Sequence, residues 1–319
     1  MAPSVSKPAL LLNGEELGEH IDLASELLVA GVEVIFRNIE ELAIDIGPGG
    51  ARIRETVSGR DLADFGLVQV MAYPRPTATL LNAVADYLAA NGVRTVNATG
   101  VGAPTRLFKY VRLANRGLSV PSTVYLPPRL PLDAYHDLAL RLDLPFVLKT
   151  VTGGGRDSLV ANEGEFTKKL QSAENARGFL AQEFIPPDGS YFLLVLGGCV
   201  SFALQHRSID GGDLLEMSSW EDATLVEPKS LDPVAQSTAV QAATSLDYDI
   251  AGVHLVRHWT TGQWCVVDVS PNPPIGSGGH IADKVSAYSA YLKGRLADPN
   301  QADSENSLDP IFIDERHFD

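Results

Sequence analysis

The first hundred residues alternate short apolar runs with segments whose apolar residues recur at helical spacing. Ala9–Leu12 is an apolar run ending at Asn13-Gly14. Glu19–Ala30 carries Ile21, Leu23, Ala24, Leu27 and Leu28 at helical spacing, and Gly31 follows as a stop. Val32–Phe36 and Leu67–Met71 read as strands, Thr77–Asn91 as a helix closed by Gly92, and Val93–Asn97 as a further strand. Ala43–Thr56 alternates on either side of Gly47-Pro48-Gly49-Gly50 and reads as a hairpin. Parallel neighbours need a crossover, so strand–helix–strand alternation predicts a parallel sheet with helices packed on it. The first turn holds Asn13-Gly14-Glu15-Glu16 and not G-x-G-x-x-G, so no dinucleotide site is expected there.

From Pro104 the pattern changes. Thr105–Arg116 is a predicted helix ending at Gly117, and Val120-Pro121-Ser122-Thr123 leads into an extended segment. Helices are expected over Leu132–Leu142 and Glu163–Glu174, and strands over Phe146–Val151, Ser158–Ala161 and Phe179–Ile185. A β-rich part follows: Tyr191–Leu196, a Gly197-Gly198 turn, Cys199–His206, then a helix Pro233–Leu246, strands Ile250–Val256 and Trp264–Val269, and a helix Ala282–Ala297. At 319 residues the chain is too long for one small core, so several lobes are expected. The fold class is α/β with α+β lobes, divided at 1–98, 99–186 and 187–300, with an acidic tail over 301–319.

Charge limits the partners. Twenty-five Lys and Arg against forty Asp and Glu give a net charge of −15, which argues against nucleic acid as a general partner. A local basic pocket for a small anion stays compatible with that balance. Cys199 and Cys265 are too few for a disulfide framework or a cysteine zinc site, and both read as buried structural thiols. The apolar run near the N-terminus is too short for a signal peptide, and no apolar stretch suits a membrane span. A soluble, cytoplasmic protein with no membrane partner is expected, and homo-oligomer formation is compatible with it.

Three segments carry chemistry. In PFVLKTVTGGGRDSLVA, Lys149 sits inside an apolar strand and Gly153, Gly154 and Gly155 follow. An ammonium among Phe146, Val147, Leu148 and Val151 is costly unless an anion pairs with it, and glycines let backbone N–H groups approach phosphate oxygens. This is a hairpin with a glycine-rich tip and not a P-loop, because the lysine precedes the glycines. The plainer alternative is a surface strand whose Lys149 faces solvent. In FLAQEFIPPD, Gln182 and Glu183 interrupt an apolar strand, which suits presentation of backbone groups to a planar base; the alternative is an edge strand with two solvated polar residues. In WCVVDVSPNPPIGSGG, Asp268, Ser270 and Asn272 are spaced by two and would share one face of a strand, a hard-oxygen set suited to Mg²⁺. The strand AGVHLVR would lie beside it and offer His254.

The order of these segments resembles the ATP-grasp superfamily, in its RimK and glutathione-synthetase-like group of carboxylate–amine ligases, over roughly residues 95–295. The resemblance implies an ATP-grasp fold preceded by an N-terminal Rossmann-like pre-ATP-grasp domain. It implies ATP and Mg²⁺ as cofactors, and a carboxylate-bearing and an amine-bearing small molecule or peptide as partners. Lys149 matches the strand lysine at the phosphates, and Gly153, Gly154 and Gly155 match the flap that closes over them. Glu183, Phe184 and Ile185 match the adenine hinge, with Gln182 beside them among the ATP-binding residues and Asp188 a candidate for the ribose. Arg207 matches an arginine facing the transferring group, and Arg106 or Lys109 matches a phosphate-contacting cation of the preceding helix. Asp268 matches the acidic metal ligand. His254 stands where the family has aspartate, and Ser270 where it has asparagine; Ser190 and Phe192 stand where an acid and an arginine are usual.

The implied reaction is phosphorylation of a carboxylate by ATP to an acyl phosphate, followed by attack of an amine and release of phosphate. Positioning and charge neutralisation are the protein's share of such a reaction. A degenerate nucleotide-binding module without turnover is the alternative, motivated by His254 and Ser270. His206, His254, His258 and His280 are scattered and form no nucleophile set, and Arg75 reads as a loop arginine or an anion-docking residue.

Overall fold

The computed structural model describes residues 7–13, 20–70, 78–98, 105–128, 134–151, 157–172, 178–186, 189–206 and 223–297. The first part is a four-stranded sheet of order β2-β1-β5-β6, with β1 Ala9–Asn13, β2 Val34–Asn38, β5 Leu67–Val70 and β6 Thr95–Val96. Its three pairings are all parallel, as the alternation predicted. Helices α1 (His20–Val29) and α2 (Ala78–Ala90) supply the crossovers, and β3 (Leu42–Gly47) with β4 (Gly50–Glu55) forms the expected hairpin. Every residue of β1 is buried, which is the signature of a strand covered on both faces.

The second sheet has order β7-β10-β8-β9, from β7 Thr123–Leu126, β8 Phe146–Thr150, β9 Ser158–Val160 and β10 Phe179–Glu183. All its pairings are antiparallel. Helices α4 (Ala134–Leu142) and α5 (Glu163–Leu170) share a core with it through Tyr135, Leu138, Phe146, Phe166 and Phe179. The strand of Gln182 and Glu183 is therefore central, not an edge. Glycine-free packing is not possible everywhere at this level: Gly178, at φ +82°, would put a Cβ 2.2 Å from the Leu126 carbonyl oxygen.

The third sheet is antiparallel, of order β13-β12-β11-β14-β15, from β11 Tyr191–Leu196, β12 Cys199–Gln205, β13 Thr224–Val226, β14 Ile250–Arg257 and β15 Trp264–Ser270. The short strand β13 has no counterpart in the sequence reading. Helix α6 (Pro233–Ser245) lays Ala235, Ala239, Ala242 and Ala243 on one face of this sheet. On the other face, Phe192, Leu194 and Leu204 join Tyr288 and Leu292 of α7 (Ile281–Ala297) and Leu11, Leu23 and Leu27 of the first part in one continuous core. Asn97 seals that junction: its Nδ2 donates to the carbonyls of Ile250 and Pro271, both at 2.8 Å, and its Oδ1 accepts from Ile250 N–H at 3.0 Å. Among the described residues no helix is long and apolar enough to cross a membrane.

Cys265 is buried, as expected, and lies 3.0 Å from Ser119 Oγ. Cys199 is only half-buried, because it opens β12 beside the exposed Gly197-Gly198 turn. Both thiols are free.

Candidate functional site

Helix α3 (Arg106–Asn115) begins the site. Thr105 caps it, its Oγ1 accepting from Phe108 N–H at 3.2 Å. The Arg106 N–H donates to the Val151 carbonyl at 2.9 Å, so the helix starts against the end of β8. Arg106, Lys109 and Tyr110 are three and four residues apart and share one helix face. That face meets Lys149 of β8 on one side and Asp268 of β15 on the other.

Lys149 is buried, 8% exposed, so the solvent-facing alternative fails. Its Nζ donates to Tyr110 Oη at 3.3 Å and to the Val267 carbonyl at 3.2 Å, and lies 3.8 Å from Asp157 Oδ2. Arg106 Nη1 is 2.6 Å from Asp157 Oδ1, and its Nη2 is 4.0 Å from Asp268 Oδ2. Lys109 Nζ donates to Asp268 Oδ1 at 3.2 Å and to the Val269 carbonyl at 2.5 Å. Three cations from α3 and β8 thus converge on Asp157, which precedes β9, and on Asp268. Burial alone would raise the Asp268 carboxyl, but Lys109, Arg106 and Lys149 outweigh it and hold the group far below the usual carboxylate range.

The carbonyl of Val267 is available because β15 is bulged. His254 pairs with Asp268, whereas Leu255 pairs with Val266, leaving Val267 as the extra residue. Tyr110 Oη also donates to this carbonyl. Val267 and Tyr110 escape sequence reasoning: one acts through its backbone and the other reads as an ordinary apolar helix residue. Asp157 is obscured for a different reason, since an acid beside a glycine run looks like turn chemistry.

His254 does lie beside Asp268, as its strand position suggested. Burial is the main cause that lowers its pKa to about 4, against the pull of Asp268, so the imidazole is neutral near pH 7. Its ring packs edge-on against Phe192 at 5.2 Å. Ser270 is the last residue of β15, and its Oγ accepts from the Asn272 N–H at 3.3 Å. Asn272 itself lies past the strand end, so the alternation that would have put it on the Asp268 face does not apply to it.

The hinge candidates divide. Gln182 is 2% exposed; its Nε2 donates to Thr123 Oγ1 at 2.9 Å, and its Oε1 is 3.5 Å from Tyr110 Oη. Neither Gln182 nor Glu183 is a solvated edge residue. Glu183 Oε1 meets His258 Nε2 at 2.9 Å, and its Oε2 accepts from Ser122 N–H at 3.3 Å. Since His258 Nδ1 accepts from Thr260 N–H at 3.2 Å, the Nε2–H is the donor to Glu183. Ile185 packs with Val256 and Cys265 of the third sheet, and Phe184 is half-buried. Gly153, Gly154, Gly155, Asp188, Arg207 and Arg75 lie outside the described residues. His280, at the start of α7, is 3.6 Å from Asp283, away from this cluster.

Among the described residues no group of three His, Cys, Asp or Glu is arranged to hold a metal ion. Asp268 is the single described carboxylate of the expected donor set, and its oxygens face Lys109 and Arg106. Magnesium keeps several waters and is commonly held by one or two carboxylates together with substrate phosphates. The described residues therefore fit an ion that arrives with a polyphosphate better than an ion held by the protein alone.

The RimK-like ATP-grasp domain model matches residues 113–278. A probable alpha-L-glutamate ligase of Thioalkalivibrio sulfidiphilus is 27% identical over 188 residues, 55% of this chain and 60% of that relative. The chain thus spans less than two thirds of the length of the curated relative it matches. Among solved structures, the ATP-grasp ligase PsnB complexed with a phosphomimetic precursor variant, Mg and ADP superposes with a TM-score of 0.69 at 14% identity, covering 93% of this chain and 99% of that one. The D-alanine–D-alanine ligase of Bacillus anthracis complexed with ATP gives 0.64 at 13% identity, over 94% and 99% of the two chains. The RimK domain ATP-grasp protein of Sphaerobacter thermophilus gives 0.57 at 19%, over 89% and 98%. These likenesses extend the shared fold beyond the matched domain, and with that domain spanning residues 113–278 the chain belongs to the RimK-like ATP-grasp family.

Proposed function

We propose that this protein is an ATP-dependent ligase that activates a carboxylate as an acyl phosphate and joins it to an amine, releasing ADP and phosphate. The observation that carries the proposal is the convergence of buried Lys149 and half-buried Arg106 and Lys109 between the second and third sheets. Family membership supports the reaction class. ATP is the substrate that this cationic cluster suits, since three largely buried positive groups favour phosphate oxygens. The proposed division of the chain keeps a first lobe over 1–98, the second sheet within 99–186 and the third within 187–300.

In this reading Lys149 and Arg106 bind the phosphates, and Lys109 orients Asp268. Tyr110 and the Val267 carbonyl hold the Lys149 ammonium in place, so its reach is set before ligand arrives. The backbone between Glu183 and Ile185 borders the base, while the Glu183 side chain is engaged by His258. Asp268 would hold Mg²⁺ brought by the nucleotide, and the ion when bound would screen phosphate charge. Gly153–Gly155 and Arg207 are assigned to phosphate covering and to the transferring group from sequence resemblance. The names of the relatives point to glutamate or a peptide among the substrates.

A second reading, a nucleotide-binding module without turnover, draws support from the neutral His254 opposite Asp268. The two separate in one experiment. ADP formation from Mg-ATP is measured with amino acids and short peptides added singly and in pairs. Acid- and amine-dependent ADP formation, with a product mass equal to the condensed pair, supports the ligase. Nucleotide binding with no turnover in any combination supports the module.

A further inference from the structure

We propose that Asp157 is an internal counter-anion that occupies the phosphate-binding cations in the nucleotide-free protein, and that nucleotide phosphates must displace it. This rests on the nucleotide site proposed above. Asp157 lies at the entrance to β9 and reaches two cations from two different elements: Arg106 of α3 at 2.6 Å and Lys149 of β8 at 3.8 Å. The side chains of both cations are largely buried, at 14% and 10% exposed. Charge pairs in such a setting are screened by salt much less than exposed pairs are.

The acid stands where a phosphate oxygen would stand. A guanidinium presents a planar fork of N–H groups that donates to a carboxylate or to a phosphoryl group, so the two compete for one donor set. Lys149, Arg106 and Lys109 face Asp157 and Asp268, which leaves the cluster with a net charge of +1. Asp268 is held by Lys109 and by its own neighbour, the Val269 N–H at 2.8 Å, and it borders the cations from the far side. Asp157 is the acid whose departure frees Arg106 and Lys149 together. Its removal would raise the local charge from +1 to +2 and strengthen phosphate binding. A Mg²⁺-ligand role for Asp157 predicts the reverse, because losing a ligand weakens metal-dependent binding.

The test is ADP titration by calorimetry on the full chain, with chelator and then with Mg²⁺, for the wild type, Asp157→Asn, Asp157→Ser, Asp157→Glu and Lys149→Ala. Without metal, the Asn and Ser variants are expected to bind ADP about fivefold tighter than wild type, and because the pairs are largely buried most of the gain persists at moderate salt. The Glu variant keeps the competing charge and stays near wild type. Equal or weaker binding by both Asn and Ser overturns the proposal, and weakening confined to the Mg²⁺ series overturns it in favour of a metal ligand. Equal ADP binding by wild type and Lys149→Ala marks a different failure, that of the nucleotide site itself.

Discussion

Lys109 Nζ lies 3.2 Å from Asp268 Oδ1, tying the first turns of α3 to the end of β15. The contact joins the segment before the second sheet to the third sheet, and it makes Asp268 part of a cation cluster before any ligand is present. Exchange of Asp268 for Asn therefore has two separable effects. It frees Lys109 and Arg106, so metal-free nucleotide binding is retained or tightened. It also removes the carboxylate proposed to hold Mg²⁺, so ADP formation in Mg-ATP is expected to fall by about two orders of magnitude or more. Parallel calorimetry and turnover assays check both arms.

Because the oxygens of that carboxylate face Lys109 and Arg106, and among the described residues no group of three His, Cys, Asp or Glu is arranged to hold a metal ion, the protein should bind Mg²⁺ only with nucleotide. Titration of the ligand-free protein with Mn²⁺ as a paramagnetic stand-in is expected to show no saturable site. A site should appear on adding ADP. Saturable binding without nucleotide would contradict the donor set described here.

Lys149 is held by Tyr110, Val267 and Asp157 in a largely buried setting. Lys149→Ala should weaken ADP about tenfold or more, by loss of a partly desolvated cation. Tyr110→Phe keeps the ring but removes the hydroxyl, and a smaller loss, about two- to fivefold, is expected. Fluorescence titration with a labelled ADP measures both.

Glu55 provides a pH dependence remote from the site. Burial would raise its carboxyl, but Arg37 and the hydroxyl and N–H of Ser58, with the Arg60 N–H, outweigh that and lower it to about 2. A depressed carboxylate contributes stability that is present above the unfolded pKa of about 4.5 and is lost as pH falls toward about 2. The contribution is on the order of 3 kcal/mol. Urea unfolding of wild type and Glu55→Gln at pH 7, 4 and 3 should show the gap between them narrowing with acid.

Gly252, opposite Ser270 in β14, has no room for a side chain. A Cβ there would come 2.6 Å from Phe192 Cε2 and 3.1 Å from Pro273 Cβ. Phe192 is itself fully buried against His254, so it has little freedom to move. Gly252→Ala should cost about 1–3 kcal/mol by overpacking, read as a lowered thermal midpoint.

Local patterning carried most of the element boundaries. Gly31, Gly92 and Gly117 each follow a helix and adopt positive φ, as their positions after apolar-periodic segments implied. The parallel first sheet followed from alternation alone. The strand of Gln182 could not be ranked by sequence as edge or centre, because two polar residues in a five-residue strand suit either. Only the pairing of β10 with both β7 and β8 made it central. The short, mostly exposed strand β13 leaves no periodic trace.

Lys149 and Asp268 were legible because a charge inside an apolar strand is costly wherever it stands, and that cost is local. What the charge is paired with is not local. Asp157, Tyr110 and the bulged Val267 carbonyl come from separate segments and meet only when the second and third sheets close around α3. Residue type and spacing determined that this chain builds strands with buried charges. The bulge in β15 and the seating of α3 between two sheets decided which partners satisfy them, since hydrogen bonds and ion pairs act over a few ångströms and not along the sequence.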